Sequence, residues 1–333
     1  MEGKIGVFFA FLCAIGLSIT NVLIRKGSGR GDADNGMLIT TIANVVILSS
    51  AVAVLGFGGY LSSWNTTGFL WFAGSGLLAA FLGRSMLYTS IGRIGSSRAA
   101  AIKNTAPMFT VAMAVFFLAE RLSLAGIIGI GLACLGLLLL VYEAFHNPHN
   151  NRERQAEEKE TKEAVLEPET LDEDTGLASK LSELSGVSTV IIGTLSAVLA
   201  ALFFGLGQGI RKVGLEYMPD VFIGAMIASC AALVSYLMMS VLLGRASLVF
   251  RASFSNFRAY FWLAGLTTTI GQLAFFTAIM FAPVAHVSVI ASSETLLTIF
   301  LAAVFIGQTE NISRRIIVAA LFVFAGASAI ALS

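Results

Sequence analysis

Arg84, Lys103 and Glu294 are charged side chains set deep inside runs that are otherwise apolar and uncharged. Against hydrocarbon, a charge in mid-helix costs about 3 kcal/mol or more, so such a group faces a partner or a watery chamber. Glu294 is the one acid in these runs. It can titrate as a proton-coupling group, or stay ionised as the counter-charge of Arg84 or Lys103. Two cations against one acid make an electropositive pocket, which suits an anionic or zwitterionic metabolite such as a carboxylate or a phosphorylated compound. If Glu294 points into the pocket alone, an amine or cationic drug fits better. Lys103 also lies about 7 Å from the start of its run, close enough to snorkel to the headgroups. Polar neighbours complete the set: Tyr88 shares a helix face with Arg84, Asn104 and Thr105 follow Lys103, and Ser292 and Ser293 precede Glu294. Gln208 sits among Gly205, Gly207 and Gly209, a string that reads as close helix packing or a hinge.

The elements that hold these residues follow from composition. Hydrophobic residues make up 56% and charged residues 12% of the 333 positions, and the mean hydropathy is +0.84. That balance excludes an ordinary soluble domain and predicts an all-α polytopic membrane protein. Ten runs are long enough to cross a bilayer: 5–24, 37–59, 69–91, 99–118, 122–142, 187–210, 221–243, 259–282, 284–306 and 315–332. The segment 143–186 is different, for it is highly charged, holds most of the chain's acids and has no apolar face. It reads as a disordered or partly helical linker between a first half, 1–142, and a second, 187–333.

The halves resemble each other. "LGRSMLYTSI" (82–91) aligns with "IGQLAFFTAI" (270–279), which places Gln272 on Arg84 and Phe276 on Tyr88 and adds both to the candidate site. At the same offset Glu120 falls on Gln308, and after a two-residue insertion Gly136 falls on Gly326. Five spans per half is an odd number, so the halves would cross the membrane in opposite senses, as inverted repeats. "NTAPMFTVAMAVFFLAERLSLAGIIGIGLACLGLLLL" (104–140) then shows a proline, an apolar run, Ala-Glu-Arg-Leu and a glycine-bearing last helix. This is similar to the EamA-type carriers of the drug/metabolite transporter superfamily. In the second half Thr295 stands at the proline position and Gln308 at the glutamate position, and the charged linker is unusually long. The resemblance implies a carrier of a small metabolite that works by alternating access, with a central cavity lined by the third, fourth, eighth and ninth spans.

Sorting loop Lys and Arg by side gives ten against four outside the linker, the four being Lys4, Arg121, Arg211 and Lys212. The positive-inside rule then places the linker in the cytoplasm and both termini outside, whereas the family resemblance implies termini inside. The bilayer, a small-molecule substrate and protons as a candidate coupling ion are the expected partners. Nucleic acid and cofactors are not expected, and either a monomer or a homodimer fits. A membrane-embedded enzyme would need Ser75 or His286 to find an orienting acid, which neither has nearby in sequence. A channel would need rings of one residue contributed by several subunits. Cys13, Cys134 and Cys230 lie in apolar runs and read as packing. His146 and His149 lack a third ligand for a metal. A multi-pass position in the cell membrane is the expectation.

Overall fold

The computed structural model describes residues 2–27, 33–55, 64–94, 99, 102–120, 123–146, 176–242, 244, 259–306 and short helical pieces between 318 and 329. All regular structure among the described residues is helical. Two helices, α1 (Glu2–Gly27) and α2 (Ala33–Leu55), cover the first two expected spans. The third is not one continuous α-helix. It runs as α3 (Thr66–Ser75), a π-helical stretch π1 (Gly76–Gly83) and α4 (Arg84–Ile94). Asn65, in a match to the glycosylation pattern, is the cap of α3: its side-chain oxygen accepts from the N–H groups of Thr67 (2.8 Å) and Gly68 (3.2 Å), satisfying donors that a helix start leaves open.

Next come α5 (Ala106–Phe116), α6 (Leu124–His146) and α7 (Gly176–Tyr217), followed by α8 (Val221–Leu242), α9 (Ala259–Phe281), α10 (Val284–Ala291) and α11 (Glu294–Ile306). Six described helices are long and apolar enough to cross a bilayer, within Gly3–Ile24, Met37–Val54, Thr66–Leu87, Ile191–Tyr217, Val221–Leu242 and Ala259–Phe281. The chain is thus an integral, multi-pass membrane protein. The expected spans 99–118 and 284–306 hold interrupted helices, 122–142 coincides with the continuous 23-residue helix α6, and 315–332 is described only in pieces.

Two boundaries differ from expectation. Helix α7 begins at Gly176, inside the segment read as linker, and continues through Arg211 and Lys212 to Tyr217. Those two cations therefore sit within a span and leave the loop tally. In the ten-span alternation expected from sequence, this would leave only Lys4 and Arg121 on the poorer side. Residues 147–175, together with Arg121 and Gln308, lie outside the described residues.

Large apolar side chains point outward, among them Phe8, Leu70, Phe116 and Phe117. The inner faces carry Ala10, Ala14, Ala197, Ala200 and Ala201, all fully buried. In a bilayer, helices gain little by hiding leucine from equally apolar lipid, so close backbone approach and hydrogen bonds hold the interface. Thr20 and Thr267 meet at 2.7 Å between α1 and α9, and the Asn44 amide donates from α2 to the Gly265 carbonyl of α9 at 2.8 Å.

Partner choice is reciprocal across the halves. The first helix, α1, packs mainly on α9, the third span of the second half; α7, the first helix of the second half, packs on α3, π1 and α4, the third span of the first. Near the chain's end the same exchange is visible at residue level. Gly136 of α6 lies against Ala319 and Val323, while Gly326 lies against Gly129 and Ala133. A side chain at either glycine would collide with the opposite backbone. Gly131, on the same helix α6, faces open space.

Candidate functional site

Two helices are interrupted at matching places. Between Lys103 and α5, Asn104 and Thr105 form a turn; between α10 and α11, Ser292 and Ser293 do the same. The two turns are separated in sequence by the offset that aligns Gly83 with Gly271. Each tightens to three-residue hydrogen bonding: the Thr105 N–H donates to Ile102 (3.0 Å) and the Ser293 N–H to Ile290 (3.1 Å). The causes differ. In the first half, Pro107 has no N–H for the Lys103 carbonyl, and its ring crowds that oxygen. The second half has Thr295 there, and serine hydroxyls intrude instead: Ser292 Oγ donates to Val289 O (2.6 Å) and Ser293 Oγ to Ile290 O (2.7 Å). Such back-bonding competes with the helix ladder.

The breaks bring the charged residues together. Lys103 ends the segment before one turn, Glu294 begins the helix after the other, and Lys103 Nζ lies 3.1 Å from Glu294 Oε1. The lysine side chain is 23% exposed and the glutamate 11%, so the pair is mostly removed from solvent yet not sealed. Glu294 is the only acid among the described buried residues. Lys103 Nζ also stands 5.1 Å from the Phe204 ring centroid of α7. From α1, Ser18 Oγ donates to the Glu294 carbonyl at 2.9 Å.

Gln208 follows Phe204 by one helical turn, on the same face of α7. Its Oε1 accepts from Thr110 of α5 (3.0 Å) and from Ser288 of α10 (2.7 Å), joining the two interrupted helices. The glycines around it serve close packing: Gly205 lies on Phe109 and the Ala106 carbonyl, Gly207 on Ala79, and Gly209 on Met113. Three residues beyond Gln208 is Arg211, whose guanidinium stands over Phe276 (5.3 Å) and Phe275 (5.7 Å) of α9. Arg84 is half-buried where π1 passes into α4. A π-turn of this kind re-aims the side chains that follow it.

The remaining expected residues take varied places. Gln272 Nε2 reaches the Ala225 carbonyl and Ser229 Oγ of α8, both at 3.4 Å. Phe276 is fully buried, its centroid 5.8 Å from that of Phe72, and it underlies Arg211. Asn104 is half-buried in its turn. The side chain of Tyr88 lies outside the described residues. Ser75 spends its hydroxyl on the Phe72 carbonyl at 2.8 Å. His286 packs beside Gly126, its Nε2 buried with no hydrogen-bond partner among the described residues. No group of three metal-ligating side chains occurs among the described residues.

Sequence reading stopped the sixth span at Ile210 and so missed Arg211 and Lys212. Lys212 Nζ donates to the Ile279 carbonyl at 2.5 Å. Pro283, four residues after Ile279, has no N–H to offer that oxygen, and the lysine replaces it. Glu120, the acid of the Ala-Glu-Arg-Leu motif, is also structural: Oε1 accepts from the Val284 N–H (2.8 Å) and Oε2 from the Ala285 N–H (3.3 Å). A first-half carboxylate thereby caps a second-half helix, where the backbone dipole favours it. Ala119, just before it, holds a left-handed backbone with φ 51°.

The model of the EamA-like transporter family matches residues 4–142 and again 191–332. A solved structure described as "Crystal structure of protein" is similar in fold, with a TM-score of 0.66 at 15% identity over 98% of each chain. No curated protein matches. The two family matches fall on the two halves that exchange helix partners and meet at the Lys103–Glu294 pair, and on that coverage the chain belongs to the EamA-like transporter family.

Proposed function

We propose that this chain is a secondary carrier that moves a small anionic or zwitterionic metabolite across the membrane by alternating access. The site lies between two inverted five-helix halves. The observation that carries the reading is the Lys103–Glu294 pair, which bridges the two interrupted helices and the two halves at once. Interrupted helices near a repeat interface are where carriers of this kind hold substrates, since freed backbone groups and charges are tolerated where they line a chamber. Reciprocal packing supports the inverted arrangement: a two-fold that sends Gly136 to Gly326 also sends Ala319 and Val323 to Gly129 and Ala133.

Charge favours an anion. Three cations, Arg84, Lys103 and Arg211, are carried by the spans, against a single acid, Glu294, among the described buried residues. Glu294 is the group for proton coupling, because its protonation would release Lys103 and its deprotonation would recapture it. Alternation between these states ties the charge of the site to its opening.

Reconstituted protein tests this directly. Uptake into proteoliposomes is measured for amino acids, organic anions, phosphorylated metabolites and amines, with and without a pH gradient. Anions or zwitterions should accumulate; Arg84→Ala and Lys103→Ala should weaken their transport, and Glu294→Gln should remove dependence on the gradient while leaving exchange. Uptake confined to amines, or wild-type anion transport in both cation variants, would overturn the assignment.

A further inference from the structure

Arg211 has features that neither helix packing nor its cation–π contacts explain. Its guanidinium stands over two rings of α9, yet no carboxylate lies within salt-bridge distance among the described residues. The Nε is buried and unpartnered. A guanidinium carries five donors in a fixed planar fork, and here the protein supplies no hydrogen-bond acceptor for them among the described residues. Cation–π contact returns only about 0.5–2 kcal/mol, less than the several kcal/mol that taking a charge out of water costs.

Gln208, one turn earlier on the same face of α7, is arranged to match. Two hydroxyls hold its Oε1. Ser288 Oγ makes no other hydrogen bond among the described residues, so it donates and fixes the amide with oxygen toward the hydroxyls. That leaves the Nε2 donors turned away from them. Successive side chains on this face thus present an aromatic ring under Lys103, then an amide donor, then a guanidinium, over a rise of about 10 Å.

We propose that Arg211 and Gln208 form an oxyanion subsite on the sixth span, which grips the carboxylate or phosphate head of the transported anion. Phe275 and Phe276 serve as the platform that holds the guanidinium flat. This rests on the carrier reading above and names the group that recognises the substrate's charge. Lys103 packs on Phe204, about two helical turns before Arg211, and is already paired with Glu294, whereas Arg211 has no carboxylate partner among the described residues.

The test uses full-length protein in proteoliposomes treated with phenylglyoxal, which reacts with accessible guanidinium groups. Adducts are counted by mass spectrometry at Arg211, with exposed Arg93 as the internal control, in the presence of succinate, glycerol 3-phosphate or choline. Arg211 should react, and succinate or glycerol 3-phosphate should suppress its labelling several-fold while choline and the Arg93 signal show no change; the stronger protector identifies the head group. Loss of protection in Gln208→Leu, with Arg211 still reactive, would support the shared subsite. An unreactive Arg211, or labelling indifferent to both anions, would overturn the proposal. Uptake separates this from the wider reading. Arg211→Gln should raise KM for the protecting anion about 10- to 100-fold, the loss of a hydrogen bond to a charged group, and Arg211→Lys should recover part of it. Unchanged KM in a monodisperse Arg211→Gln protein refutes the subsite and leaves the carrier standing. Protection without any wild-type uptake refutes the carrier and leaves the subsite.

Discussion

Removing the Lys103 charge should destabilise the protein, and removing Glu294 as well should restore most of the loss. At 3.1 Å and an effective dielectric near 20, the bare attraction is about 5 kcal/mol. Desolvation opposes it. Glutamate, at 11% exposed, bears most of that cost, and lysine, at 23%, bears less. Relative to two neutral side chains the pair should therefore contribute little, within about 1 kcal/mol, whereas the coupling read from single and double variants, which sets each lone buried charge against the pair, should approach the Coulomb figure of about 5 kcal/mol. Lys103→Met leaves a carboxylate with no cation and should cost about 3 kcal/mol, as does breaking other buried pairs from one side. Glu294→Gln should cost a similar amount, because the ammonium then loses its acceptor. The double variant pairs two neutral side chains and should fall within about 1 kcal/mol of the parent, since replacement of a whole buried pair is often close to neutral. Reversible unfolding in mixed micelles of all four proteins gives the cycle. Additive losses, with a coupling under about 0.5 kcal/mol, would show that the contact is incidental and would remove the physical link between the halves at the site.

Three further outcomes follow from the local geometry. Glu120→Ala should lower unfolding stability by about 1–2 kcal/mol through the lost cap on α10, whereas Glu120→Gln should keep most of it; equal losses would mean the charge and the cap are irrelevant. Ala119→Gly should raise stability by about 0.5–1 kcal/mol, because glycine tolerates the left-handed backbone that alanine occupies under strain; thermal unfolding decides the sign. Gly76→Val should cost about 1–3 kcal/mol by overpacking, since a side chain there runs into the Ala228 carbonyl; a stable, fully folded variant by size exclusion and thermal scan would contradict that packing.

Much of this was legible from residue type and position. Arg84, Lys103 and Glu294 stood out because a charge in an apolar run has few tolerable placements, and Lys103 and Glu294 do meet. The glycine string around Gln208 reads correctly as close packing. Other features leave no such trace. Arg211 and Lys212 look like the end of a span, because charge marks a boundary unless the partners are known: two rings for one, a proline-orphaned carbonyl for the other. The π-stretch shifts hydrogen bonding without changing the apolar pattern that periodicity detects. At Ser292–Ser293 the interruption is written in hydroxyls, whereas its counterpart is written in proline, so searching for one signal misses the other. Glu120 was recognisable as a motif, but its partner lies on another helix far along the chain.

The exchange of helix partners also bears on biogenesis. Helix α1 leaves the ribosome long before α9, against which most of its inner face rests. Until α9 and α11 are inserted, Ser18, Thr20 and the Cys13 edge must wait in the bilayer or in an insertion chaperone without their eventual neighbours. Because the first helix of each half packs on the other half, truncation after the linker should yield a species for quality-control proteolysis rather than a half-carrier, while co-expressed halves should rescue each other.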